Sequence, residues 1–118
     1  MSGNFHTSGC VTESDLKTFT LEHNDKINHK IKSTLRKIHK LKRENLVLGD
    51  VRKSTFNHLI TLKIRGDLGE VKMFGLTIKI MKISERIGKN GNKIQRLWTK
   101  ISQLKKILIP VVDEWFNF

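Results

Sequence analysis

Alanine and tyrosine are absent from this 118-residue chain, and cysteine and proline each occur once. Cys10 has no second cysteine to pair with, which excludes an intramolecular disulfide framework and a cysteine-rich zinc site and favours a reducing compartment. No apolar run approaches the ~20 residues that a membrane-spanning helix needs. The first fifteen residues lack both the apolar core of a secretory signal and the arginines of an organelle transit peptide, so the expected location is cytoplasmic, with the nucleus as the alternative. No folding principle calls for the missing alanine and tyrosine. Together with abundant Lys, Ile and Asn, their absence is the composition of an AT-rich or overprinted gene and suggests a small viral or lineage-restricted frame.

Catalysis lacks candidate residues as well. None of His6, His23, His29, His39 and His58 lies three or four residues from another, as a helical zinc pair would. Asp113 and Glu114 are adjacent, so their carboxylates diverge. No nucleophile elbow or Walker loop is present, and the expectation is a protein that is not an enzyme and carries no metal or cofactor.

Positive charge is what the chain has in excess. Lysine and arginine outnumber acids 23 to 11, a net charge of +12, and such an excess on a single small domain favours a polyanionic partner. Residues 1–14 are polar and aperiodic and read as a tail, leaving 15–118 as one basic domain. Ile27, Ile31, Leu35, Ile38 and Leu41 recur at helical spacing, predicting a helix capped at Asn24 and ending near Gly49. Its other faces carry Lys30, Lys37, Lys40 and Arg43 among further cations, with no acid from 26 to 43.

Residues 56–65 and 71–83 alternate apolar and polar side chains around the turn residues 66–69, which predicts a β-hairpin pairing Leu62 with Phe74 and Ile60 with Leu76. A second helix is expected from Asn92 to about Leu108, before Pro110. Ile94, Leu97, Trp98, Ile101 and Leu104 lie on its apolar stripe. The apolar stretch 107–118 would add a final strand or dock as a tail. Two strands alone are marginal, so either this stretch or a second subunit, in a homodimer, must extend the sheet.

Between the hairpin and the second helix, Ile87-Gly88-Lys89-Asn90-Gly91-Asn92-Lys93-Ile94-Gln95-Arg96-Leu97 fits I-G-x-x-G-x-x-I-x-x-L. It resembles the signature of the K homology (KH) nucleic-acid-binding domain. Over about residues 22–116 the order helix, strand, strand, short helix, G-x-x-G loop, helix, final strand resembles the type II form of that α+β fold. Arg86, Pro110 and the missing alanine depart from the family pattern. The resemblance implies that Gly88, Lys89, Asn90 and Gly91 clamp the phosphate backbone of RNA or another single-stranded nucleic acid, with Lys93 and Arg96 at the start of the following helix.

Two further readings use the same residues. A short coiled-coil seam through Ile27, Ile31, Ile38 and Leu41, with Asn24 and Asn45 at its ends, is weakened by Thr34, and an ordinary core-facing stripe is the preferred account of the same residues. The charge also suits a small viral accessory or matrix-like protein that binds membrane surfaces or protein partners. A membrane binder would expose Phe or Trp beside its lysines, whereas an RNA binder would set the Gly88 to Gly91 loop beside an apolar groove.

Overall fold

The structure is a computed structural model that describes residues 12–66 and 69–110. It contains two helices, α1 (Glu13–Arg65, 53 residues) and α2 (Glu70–Lys106, 37 residues), folded back on each other as a long hairpin with overall extents of 87 × 26 × 16 Å. There is no strand among the described residues. The α+β expectation is therefore wrong: both predicted strands are helical, and residues 87–97 lie inside α2 rather than in a loop. The K homology resemblance falls with them, and so does the RNA-binding reading that rested on it.

Local chemistry sets the helix limits. Thr12 caps α1: its hydroxyl accepts from the Asp15 N–H at 3.1 Å, and the Asp15 carboxylate accepts from the Thr12 N–H at 3.1 Å. The helix thus begins well before Asn24 and runs through Gly49. It stops at Gly66, where φ of 71° suits a residue without a side chain and the glycine N–H reaches the carbonyls of Leu62 and Lys63. The chain reverses between Gly66 and Gly69, where the sequence marks a break, but the break separates two helices and not two strands. Residues 111–118, which contain most of the predicted final strand, lie outside the described residues, and residues 107–110 are not in a strand.

The helices meet along heptad repeats. In α1 the seam runs through Asn24, Ile31, Ile38, Asn45, Arg52 and Leu59 at one core position, a, and Thr20, Ile27, Thr34, Leu41, Leu48, Thr55 and Leu62 at the other, d. In α2, Ile80, Ile87, Ile94 and Ile101 alternate with Leu76, Ile83, Asn90, Leu97 and Leu104 in the same way, and Leu108, just past the helix end, continues the series. Each of these positions in both helices is buried or half-buried. The coiled-coil seam is thus continuous well beyond Leu41. Thr34 does not interrupt it, because its buried hydroxyl donates to the Lys30 carbonyl at 2.8 Å; Thr20 and Thr55 do the same with Leu16 and Val51.

The apolar core is concentrated away from the turn, where Ile27, Ile31, Ile38 and Ile101 are buried and Leu35, Ile94, Leu97, Leu104 and Leu108 pack on them. At about 1.5–3 kcal/mol for each fully buried side chain, this cluster holds the hairpin together. Beyond α2 the chain stays attached to α1. The Asn24 amide donates to the Ile109 carbonyl at 2.6 Å and accepts from the Ile109 N–H at 2.9 Å, while His23 Nε2 lies 2.8 Å from the Ile107 carbonyl.

Candidate phosphate-binding face

Register determines which charges meet. Asn90, only 1% exposed, donates its amide to Asn45 Oδ1 at 2.9 Å, and Asn45 donates to the Ile87 carbonyl at 3.4 Å. A polar pair inside an apolar seam satisfies itself only in one alignment, so Asn45 and Asn90 fix the sliding position of the two helices. Beside them Arg86 Nε donates to Glu44 Oε1 at 2.8 Å across one edge of the seam. The Asn90 amide, and then Arg86, hold the Glu44 carboxyl below the usual carboxylate range.

Glu44 and Arg86 both occupy heptad position g. One heptad towards the open end, the same antiparallel register brings Lys37 opposite Lys93, and one further Lys30 opposite Lys100. These are like-charge rungs where a stable coiled coil would place opposite charges. Around the Lys37–Lys93 rung lies a groove of about 590 Å³ lined by Lys37, Lys40, Glu44, Lys93, Arg96 and Lys100, with Leu41 and Leu97 also on its walls. Glu44 is held first by Asn90 and Arg86 and more weakly by Lys93, so one carboxylate, already bonded elsewhere, faces four lysines and Arg96 in the groove. An anion with several oxygens would relieve that repulsion.

The basic side extends beyond the groove. Positions c and g of both helices lie on this side; from Lys26 to Lys100 they carry Lys26, Lys30, Arg65, Lys72, Lys79, Lys82, Arg86 and Lys89 in addition to the groove cations, and Glu44 is their only acid. A helix of 53 residues is about 80 Å long, so this is a long, predominantly basic strip, supplied by both helices around the groove and mainly by α2 towards the turn.

The sequence-derived residues divide by face. Lys37, Lys40, Lys93 and Arg96 come together in the groove, and Lys30 and Lys89 lie on the same side. Arg43 does not join them: it lines a separate outer hollow of α1 with Arg36, His39, Lys42 and Leu46. Asn90 is a seam residue and does not face solvent. Gly88 and Gly91 have ordinary helical backbone, not the positive φ of a tight turn, and point to the opposite side of the hairpin. The apolar residues of the motif, Ile87, Ile94 and Leu97, keep their spacing because that spacing is also heptad spacing. Lys100 belongs to the groove and Glu44 to its electrostatics; the signal that would have found them is the g position, visible once the heptad is extended.

Among the described residues, no helix is long and apolar enough to cross a membrane, and no three His, Cys, Asp or Glu side chains are grouped to hold a metal ion. Comparison with protein-family models, characterised proteins and solved structures finds no match to this chain.

Proposed function

We propose that this protein is a non-enzymatic helical hairpin that binds a phosphate-bearing polyanion, the backbone of a nucleic-acid duplex, along its basic side. The observation that carries the reading is the convergence of Lys37, Lys40, Lys93, Arg96 and Lys100 from two helices on one groove whose only acid is already paired. Flexible lysines on an exposed groove suit phosphate contacts that position a backbone without reading its sequence. Nothing in this reading depends on a G-x-x-G loop.

The test is anisotropy titration of a labelled random-sequence DNA duplex at several salt concentrations. Lys37→Gln with Lys93→Gln removes two groove charges. Lys32→Gln with Lys105→Gln removes two exposed charges from the other side. The groove pair should weaken binding about tenfold and lower the salt slope by roughly two, while the control pair should change the slope by less than one. Equal losses from both pairs would sink the proposal, as would binding to anionic vesicles but not to the duplex.

A further inference from the structure

The side opposite the groove has the reverse character. Positions e and b of both helices lie there, joined across the edge by Lys42, whose ammonium sits 5.5 Å from the centre of the Trp98 ring. From this rung towards the turn the face carries Leu46, Phe56, Ile60, Phe74 and Met81, all exposed, and together with Trp98 their exposures run from 40% to 71%. At the 150–250 Å² of a large side chain, these six leave roughly 600 Å² of apolar surface on one side of the hairpin. Three of the chain's glycines, Gly49, Gly88 and Gly91, lie on the same face, and a Cβ added at any of them would meet nothing within 4 Å. Glycine in a helix interior costs about 0.5–1 kcal/mol relative to alanine, and the packing within the hairpin gives no reason for it. Gly49, Arg52, Lys53, Phe56 and Ile80 line a hollow of about 390 Å³ on this face.

We infer that this face docks a second copy of the chain, forming a two-fold dimer in which the turn halves of two hairpins pack as a four-helix bundle. Three observations favour a second copy over other occupants. The turn half has little core of its own: between Gly49 and Gly88 the only buried residues are Thr55 and Leu62, among those described. The apolar area approaches the ~800 Å² that each partner contributes to a standard interface, before the glycines and lysine stems are included. Finally, charge is arranged to permit it. The cations of this face and its rim, Lys42, Arg43, Arg52, Lys53 and Lys63, are partly offset by Asp50, Glu70 and Glu85, whereas the more heavily charged basic strip, with Glu44 as its one acid, lies on the far side and would point outward in both copies. A two-fold axis places the same patch on both subunits, and the empty positions over the glycines admit the partner's Phe56 or Met81.

The test is sedimentation velocity on the full chain over a concentration series, with helix content followed by circular dichroism. Wild type should sediment as a monomer–dimer equilibrium that tightens with salt, as screening lowers repulsion between two copies of +12 each. Phe56→Ser with Phe74→Ser should weaken the dimer at least tenfold while helix content is retained, because neither side chain belongs to the seam. Val47→Ser with Val51→Ser, which removes exposed apolar groups from the basic side, should leave the dimer intact. A wild type that stays monomeric at several hundred micromolar, or equal weakening by the two pairs, would overturn the inference. A monomer that sediments with phosphatidylserine vesicles through Phe56 and Phe74 would overturn it in favour of a lipid surface. The duplex-binding proposal stands or falls separately, since none of these four residues lies in the groove.

Discussion

The Asn45 and Asn90 pair illustrates how one residue can cost stability and supply alignment. Asn90→Ala leaves the Asn45 amide short of its seam partner and should destabilise the hairpin by about 1–3 kcal/mol, read as a lower urea midpoint. Replacing both by Leu restores an apolar seam and should give a chain at least as stable as wild type, but with a second register available. Disulfide trapping between cysteines placed at Lys37 and Lys93 would show that loss of alignment. Glu44 gives a pH signature. Its carboxyl titrates below the ordinary value of about 4.5, so its contribution is fully present above that value and disappears as pH falls through the lowered one. The difference in melting temperature between wild type and Glu44→Gln should therefore be constant around neutral pH and shrink towards zero as the solution is acidified below the ordinary carboxylate value. A difference that grew on acidification would contradict the assignment.

At the scale of the helices, the turn and the first helical stripe were legible in the sequence and the strands were not, for one physical reason. Each helix in the turn half carries two apolar stripes: the seam, through residues such as Leu59, Leu62, Leu76 and Ile80, and the outer face, through Phe56, Ile60, Phe74 and Met81. Interleaved in one sequence, two stripes at three- and four-residue steps imitate the period-two alternation of a strand. The β-branched residues strengthened the imitation. Gly88 and Gly91 misled in a related way, because glycine reads as a turn unless something outside the helix needs the space. Lys37 and Lys40 could be named from charge, and Lys93 and Arg96 entered through a motif the fold does not form, but the convergence of the four could not be read, since it depends on the antiparallel register set by Asn45 and Asn90. Glycine substitution separates the two helical roles. Gly66→Ala forces a side chain into a left-handed conformation and should cost about 1–2 kcal/mol of stability in thermal or urea melts. In dilute protein, Gly88→Ala should raise stability by about 0.5–1 kcal/mol, because the added methyl meets open space within the hairpin.

Over the whole molecule, folding and binding should respond to salt with opposite signs. The described residues hold only two ion pairs, Arg86 with Glu44 and His29 with Asp25, and the second exists only when the histidine is protonated. Against these stands a net charge of +12, much of it along one side of a narrow hairpin where Lys30 and Lys100, and Lys37 and Lys93, oppose one another. Self-repulsion of this kind destabilises the compact state and is screened within about 10 Å at 0.1 M salt. Raising sodium chloride from 20 to 500 mM should therefore raise the melting temperature of the free protein, whereas a fold held by surface ion pairs would soften. The Lys37→Gln and Lys93→Gln double variant removes one of the opposed rungs, so its melting temperature should start higher and rise less. Polyanion binding moves the other way, because counterions compete for the same lysines. A hairpin that melts lower as salt rises would show that repulsion along the basic side is not a governing term, and the electrostatic case for a phosphate partner would lose its basis.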